Sequence, residues 1–337
     1  TPFLLGGDIS MVPKLESLGA VYRDAGKPSD AISIMQKHGC NCFRIRLFVN
    51  PTMKNAVVQD LPYVVRLAKR IKNTGGFVLL DLHYSDSWAD PGRQHKPEAW
   101  KGLSFDALEA KVESYTAHVM TTMKRAGCLP DIVQIGNEID PGFLWPEGNL
   151  KGESDSWERF TTLLRAGVRG ARRPLNSHER VRVMFHCAAG GKPKKLQRFF
   201  EGMDQYGVEY DMIGLSYYPW WQGGTENLQQ ALKSTAETFG KEVVVVETAY
   251  PWRKTKETKS MDWPQTPGGQ RQFLQDVIET VRLTPRGLGK GVIWWYPESV
   301  PTEGVDIWKG GANALFDADG NALEALEAFR AVGVGEQ

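Results

Sequence analysis

The sequence predicts an α/β chain: a (β/α)8 TIM barrel spanning residues 1–337 as a single catalytic domain with enlarged βα loops. Three observations carry this. Short β-rich apolar runs alternate with amphipathic helical stretches from end to end. Eight such runs recur over the 337 residues. Several of them are apolar almost without interruption, as parallel strands covered on both faces require. A doubly wound open sheet is the competing architecture, and the strand count favours the barrel.

The eight runs are Phe3–Asp8, Cys42–Phe48, Phe77–His83, Ile132–Asn137, Val181–His186, Met212–Tyr217, Val243–Thr248 and Gly291–Tyr296. Helical faces fall between them. Leu61, Val64, Val65, Ala68 and Ile71 mark one after the second run, and Leu108, Val112, Tyr115, Val119 and Met123 mark another before the fourth. Trp157, Phe160, Leu164 and Val168 follow the fourth run, led by Asp155-Ser156-Trp157-Glu158 as a capping start. Phe273, Val277, Ile278 and Val281 precede the eighth, and Leu323, Leu326 and Phe329 form a closing helix. The paired glycines at 223–224, 268–269 and 310–311 punctuate loops rather than divide domains.

Composition excludes several classes. Lys and Arg total 41 against 40 Asp and Glu, a net charge of +1, which argues against a nucleic-acid partner. The basic stretches 192–195 and 253–259 are short and read as solvated faces. No apolar run reaches the roughly 20 residues that span a bilayer. The start TPFLLGGDIS lacks the basic flank and long apolar stretch of a signal peptide. Four cysteines, with no CxxC pair, read as small buried hydrophobes rather than a disulfide frame or zinc site. The aromatic content is distinctive: 11 Trp, 10 Tyr and 14 Phe. Many of these rings cluster with Gly and Pro at loop positions, where flat apolar faces suit sugar rings.

Barrel chemistry gathers at the C-terminal ends of strands. There the sequence places Asp8, Arg44 and Arg46, then Asp81-Leu82-His83 with Trp88 beyond, and Asn137-Glu138. His186, Ser216-Tyr217-Tyr218, Glu247 and Trp294-Trp295-Tyr296 follow. Glu138 and Glu247 end the fourth and seventh strands, which lie nearly opposite each other. Two facing carboxyls are what glycosidic cleavage requires, one as acid and one as nucleophile or base. Arg44 is expected to keep one of them ionised. Asp81 reads as a structural tie between strand ends, a role also open to Asp8. Of the two tyrosines, Tyr217 is taken to face the cleft and Tyr218 to pack outside.

The chain resembles glycoside hydrolase family 53, the endo-β-1,4-galactanases. The resemblance rests on GGDIS with VPKLESLGAVYRDAG, FRIRLFVNP, LLDLHYSDSWADPGRQHKPEAW, VQIGNEID through FLWPEG, DMIGLSYYPWW, VVVVETAYPW and NALFDADGNAL, which run in family order through almost the whole chain. It implies a retaining, endo-acting enzyme that cleaves internal β-1,4 bonds of galactan side chains of pectin. It implies Glu138 as acid/base and Glu247 as nucleophile. It also implies that Arg44, His83, Asn137, Tyr217 and Trp295 line the subsite of the scissile sugar, with His186 beside them. Trp88 and Trp295 are read as sugar platforms. On this reading burial raises the Glu138 pKa, while Arg44 and a tyrosine hydroxyl keep that of Glu247 low.

Two loops depart from the family pattern. Trp295-Tyr296-Pro297-Glu298 carries Tyr296 where an acid is usual, and His186-Cys187-Ala188-Ala189-Gly190-Gly191 lacks the usual aspartate and tryptophan. The stretch 317–321 resembles a calcium loop but lacks the later bidentate Glu, so it reads as a polar turn. No metal and no cofactor is expected. The expected partner is a polysaccharide, the expected state a monomer and the expected location secreted or periplasmic. The alternatives are the same machinery on another β-linked polymer such as mannan, a glycan-binding barrel without catalysis, and a metal-dependent barrel hydrolase.

Overall fold

A computed structural model describes residues 2–151, 154–256 and 262–332. Eight parallel strands close into a barrel: β1 (Leu4–Asp8), β2 (Cys42–Leu47), β3 (Phe77–Leu82), β4 (Ile132–Ile135), β5 (Arg182–Cys187), β6 (Met212–Tyr217), β7 (Glu242–Thr248) and β8 (Gly289–Trp295). Each strand pairs with its sequence neighbours, and β1 closes on β8 from Leu4 opposite Gly291 to Asp8 opposite Trp295. The outer ring contains α1 (Ala31–Lys37), α2 (Leu61–Asn73), α3 (Phe105–Arg125), α4 (Ser156–Arg172), α5 (Pro193–Gln205), α6 (Thr225–Phe239) and α7 (Pro267–Arg282). The strand ends lie within two residues of those read from the sequence.

Alternation along each strand divides two cores. Leu4, Cys42, Leu79, Ile132, Met184, Met212, Val244, Val246 and Ile293 fill the barrel interior. The intervening residues, such as Phe43, Ile45, Val133, Ile213 and Val245, pack outward against the helices. Gly6 lets β1 approach β2: a Cβ there would stand 1.8 Å from the Cys42 carbonyl oxygen. Four of these helices, α1, α2, α3 and α7, start where a short polar side chain accepts an orphan amide. Asp60 accepts from Tyr63 N at 2.8 Å, and Ser104 accepts from Ala107 N at 3.3 Å. The apolar stripe of α2 (Val64, Leu67, Ala68, Ile71) is fully buried, worth about 1.5–3 kcal/mol for each large side chain.

Two local expectations are corrected. Asp155 precedes α4 without capping it by its side chain, and instead lies 4.0 Å from Arg159 one turn on. The closing segment Glu324–Val332 is a 3₁₀ helix, not an α-helix. All four cysteines are buried and unpaired. The lysines at 192, 194 and 195 are exposed, while positions 257–259 of the second basic stretch lie outside the described residues. Among the described residues no helix is long and apolar enough to cross a membrane. Asp317 folds the 317–321 turn onto itself, accepting from the amides of Asp319 and Asn321 at 2.9 and 2.8 Å.

Candidate active site

The inward parity of the strands sends a column of polar side chains to one rim of the barrel. On β2, Cys42 packs in the interior, and Arg44 and Arg46 continue the same face upward, both fully buried. Arg44 is the hub. Its Nη1 meets Asp8 Oδ2 at 3.1 Å and Glu247 Oε1 at 2.9 Å, and its Nη2 meets Asp81 Oδ2 at 2.8 Å and donates to Asn137 Oδ1 at 2.7 Å. Its Nε donates to Gln134 Oε1 at 3.1 Å. Burial alone would lower the guanidinium pKa, but Asp81, Glu247 and Asp8 outweigh it and raise the value. Burial likewise works to raise Asp81, yet Arg44 and the His83 imidazole hold its carboxyl below the ordinary range.

Glu247 reaches the cleft through a strand irregularity. Val244 and Val246 face the barrel interior, so strict alternation would turn Glu247 outward. The β6–β7 register slips by one, from Leu215 opposite Val245 to Ser216 opposite Glu247. An extra residue of this kind re-aims the side chain that follows it. Glu138 arrives differently, from the turn after β4, where it adopts a left-handed φ of 49°. Tyr84 (50°) and Tyr296 (59°), just beyond β3 and β8, are strained in the same way. Non-glycine residues held there cost about 1–3 kcal/mol and cluster at functional sites.

One oxygen of Glu138 and one of Glu247 lie within 4.8 Å of each other. Their surroundings differ. Glu247 has Arg44 on one oxygen and accepts from the Tyr218 hydroxyl at 3.2 Å on the other. Glu138 has no cation in contact among the described residues; its Oε1 lies 2.6 Å from Ser216 Oγ. Burial and the charge of Glu247 push Glu138 well above the ordinary glutamate value. Burial also pushes Glu247 up, to about 7, against the pull of Arg44. The low Glu247 value read from sequence is therefore corrected: Asp81 and Asp8 add to burial and outweigh Arg44 and the tyrosine. What survives is the asymmetry, because only Glu247 holds a cation.

A cleft of about 520 Å³ opens above this pair, lined by Trp88, Asn137, Tyr218, Trp221, Trp295 and Trp308 among others. Of the residues assigned to the sugar site from sequence, Asn137, Trp88 and Trp295 line this cleft. Arg46 lies under the platform, its guanidinium carbon 4.5 Å from the Trp88 ring centre and 5.3 Å from that of Trp295. Arg44 supports the pair from beneath rather than facing the cleft.

Three assignments are corrected. Tyr217 points away from the site: it shares the outward parity of Ile213 and Leu215, stacks on Phe273 at 6.3 Å and donates to the Gly223 carbonyl. Tyr218 faces the carboxylates in its place. His83 is 2% exposed; its Nε2 meets Asp81 Oδ2 at 2.9 Å and its Nδ1 accepts from Ala89 N at 3.2 Å, so it braces the loop that carries Trp88. His186 is fully buried between Asn137 and Ser216 and does not line the cleft.

Sequence reasoning missed Gln134 and Trp308, and it did not select Ser216, which it placed at a strand end, or Trp221. Ser216 and Gln134 had a signal, since they share inward parity with Met212 and Ile132; Trp221 lies in the one-turn helix Pro219–Gln222 and Trp308 opens the 3₁₀ turn Trp308–Gly311, both too short for a periodicity to place them. Glu138, His186 and Glu247 could together surround a metal ion, with one donor atom each within 4.8 Å of the others. Both His186 nitrogens are already engaged, Nδ1 at 2.9 Å from Asn137 Oδ1 and Nε2 at 2.8 Å from Ser216 Oγ, so this set does not fit a metal. Tyr296 accepts from Arg46 Nη2 at 2.9 Å, and the acid of its loop, Glu298, is buried behind it, accepting from Met11 N.

A closed (β/α)8 barrel with two carboxyl groups converging at its C-terminal rim beneath an aromatic cleft defines a glycoside hydrolase. Comparison with known proteins agrees. The chain is 37% identical over 351 residues to a Niallia circulans protein named for the bgaB 5′ region, covering 98% of this chain and 94% of that one. It is 34% identical over 351 residues to a Cellvibrio japonicus protein named arabinogalactan endo-beta-1,4-galactanase, covering 98% and 91%. The solved GH53 catalytic domain of Ignisphaera aggregans superposes with a TM-score of 0.89 at 31% identity, covering 98% and 96%. The model of glycosyl hydrolase family 53 matches residues 4–329, and the chain belongs to that family.

Proposed function

We propose that this glycoside hydrolase is a retaining endo-β-1,4-galactanase in which Glu247 is the nucleophile and Glu138 the acid/base. The observation that carries the mechanism is that one oxygen of each carboxyl comes within 4.8 Å of the other, with a cation, among the described residues, on Glu247 alone. Retaining pairs stand about 5–5.5 Å apart, whereas inverting pairs need about 6.5–9.5 Å to admit water between them. The substrate class follows from the named relative that acts on arabinogalactan and from the four-tryptophan cleft.

In this mechanism the ionised form of Glu247, which Arg44 and Tyr218 favour, attacks the anomeric carbon of the bound galactose. Its bond to the leaving oxygen breaks, and Glu138 delivers a proton to that oxygen. Glu138, now a carboxylate, takes a proton from water as that water displaces Glu247, which restores both groups with net retention. Asn137 lines the cleft, and the Nδ2 hydrogen it does not give to the Ala89 carbonyl is the one that would serve a sugar hydroxyl. Trp88 and Trp295 provide flat faces for neighbouring rings. The enzyme acts as a monomeric single catalytic domain, without metal or cofactor, and outside the cytoplasm because its polymeric substrate does not cross a membrane.

Digestion of linear β-1,4-galactan, with chromatographic sizing of the products, tests the substrate and the mode of attack. Mixed oligomers early in the reaction are expected. A single small product throughout, or faster release of reducing ends from mannan than from galactan, would contradict the reading.

A further inference from the structure

We infer that Ser216, His186 and Asn137 form a hydrogen-bond chain of fixed polarity that keeps the proton on Glu138, so that Ser216 and His186 are positioning residues for the acid/base. The inference deepens the proposed mechanism and rests on it for the role of Glu138.

The polarity starts at Arg44, which can only donate. Its Nη2 donates to Asn137 Oδ1 at 2.7 Å, and Asn137 Nδ2 donates to the Ala89 carbonyl at 2.8 Å. Both contacts fail if the amide is turned over, so Oδ1 is an acceptor. His186 Nδ1 sits 2.9 Å from that oxygen and must therefore carry a hydrogen. Two donors also approach Nδ1, Gln134 Nε2 at 3.3 Å and Glu138 N at 3.4 Å. Neither decides the matter. Gln134 has better acceptors in Asp81 Oδ1 at 2.7 Å and Gly136 O at 3.0 Å, and 3.4 Å is the weak limit of such a bond.

His186 is fully buried, and burial together with the Arg44 charge holds its pKa well below the ordinary value, so the ring is neutral. A neutral ring with its hydrogen on Nδ1 leaves Nε2 as an acceptor. Among the described residues, the hydrogen available to Nε2 is that of the Ser216 hydroxyl, 2.8 Å away. Once Ser216 donates to His186, its oxygen has only lone pairs for Glu138 Oε1 at 2.6 Å. That contact then needs a hydrogen from Glu138. The chain runs Glu138 O–H to Ser216, Ser216 O–H to His186, His186 N–H to Asn137.

The remaining groups facing Glu138 reinforce this. Glu247 on β7, Asp140 after β4 and Asp90 after β3 act against its ionised form. Asp90 is paired with Arg93 at 2.5 Å and Asp140 with Lys195, so neither acid is free to take the proton. Tyr218 and Cys187 are neutral, as burial raises both well above their ordinary values. When Glu138 gives up its proton, Ser216 must either leave two oxygens facing each other or turn its hydrogen away from His186. Both cost a hydrogen bond, so the chain raises the affinity of Glu138 for a proton and strengthens it as the base of the second step.

Two measurements test this. The first is the pH profile of kcat/KM on galactan for Ser216→Ala and His186→Gln. Loss of an acceptor for the Glu138 proton is expected to move the alkaline limb of Ser216→Ala down by about 0.5–1 pH unit. His186→Gln is expected to move it the same way, because the new amide can donate to Ser216 and free its hydrogen for the carboxylate. If Ser216 instead donates to a Glu138 carboxylate, Ser216→Ala moves the limb up. An upward or absent shift, including a uniform loss of rate at all pH values, overturns the inference. The second is a long-range proton–nitrogen spectrum of the ¹⁵N-histidine enzyme, with the His186 signal identified by its loss in His186→Gln. A neutral ring bearing its hydrogen on Nδ1 supports the chain, and hydrogen on Nε2 overturns it. The spectrum needs no turnover. Should Glu138→Gln retain wild-type activity, the assignment of Glu138 fails while the polarity of the chain is still read directly.

Discussion

Arg44→Met removes the hub of the site while keeping roughly its volume. Three buried carboxyl groups lose their shared cation. Asp8 keeps Arg46 at 3.1 Å and Asp81 keeps His83 at 2.9 Å, but Glu247 keeps only the Tyr218 hydroxyl at 3.2 Å. Removing one partner from a buried ion pair costs about 3–5 kcal/mol, because the other charge stays buried. The acceptors of Gln134 and Asn137 left without Arg44 add about 1 kcal/mol. The variant is expected to be destabilised by ~4–6 kcal/mol at pH 7, measured by urea unfolding. The deficit has a signed pH dependence. Arg44 holds the wild-type Asp81 carboxyl below its ordinary pKa, a stability contribution present above the unfolded pKa and lost as pH falls through the folded one. In the variant the buried Asp81 and Glu247 carboxyls, without that cation, bind protons more readily than in the unfolded chain, so acid favours its folded state. The gap therefore narrows as pH drops from neutral toward about 4. Arg44→Met/Asp81→Asn is expected to recover part of the loss, since one stranded charge is gone. A cost below about 1 kcal/mol, or a gap that widens in acid, would refute the account of Arg44 as the charge that holds the cluster.

Glu247→Gln is expected to abolish turnover on every substrate. Glu138→Gln is expected to lose about 10²–10⁴-fold on galactan and far less on an aryl galactoside whose leaving group needs no proton; equal losses on both would contradict the acid role. The wild-type pH profile is expected to be bell-shaped, with an acid limb near 7 as Glu247 takes a proton and an alkaline limb above it as Glu138 loses one. Tyr218→Phe deletes a hydrogen bond to the ionised Glu247 and is expected to move the acid limb up by about 0.5–1 unit, whereas Tyr217→Phe leaves the profile in place. Trp221, 63% exposed at the cleft margin, is expected to affect KM for long chains and not kcat; a kcat loss on short oligomers would contradict a platform role.

The barrel was legible because its evidence is repeated eight times, and an error at one strand leaves seven others to restore the count. The two glutamates were legible because polar residues at the ends of apolar runs stand out. Orientation was harder to read. Parity with Met212 and Ser216 points Tyr218 inward, so that choice was available from the strand itself. No parity argument finds Glu247, since alternation from Val244 and Val246 sends it outward and only the register slip returns it. His83 and His186 sit on the correct face but one layer too deep, where strand ends are already covered by Asn137, Ala89 and Trp88. Depth along the barrel axis is set by strand stagger, which no local pattern encodes. Asp155 carried a capping signature, yet its side chain makes no cap bond to α4.

The account stands on Glu247 forming a bond to the sugar while Glu138 moves the proton. A slow galactobioside bearing fluorine at C2 and an activated leaving group accumulates such an intermediate, because fluorine disfavours the positively charged transition state of its hydrolysis. Intact-mass measurement followed by peptide mapping then reads the site directly. The account predicts one added glycosyl unit, on the peptide that contains Glu247 and absent from Glu247→Gln. A label on Glu138, or no adduct while the α-anomer appears as first product, would contradict it.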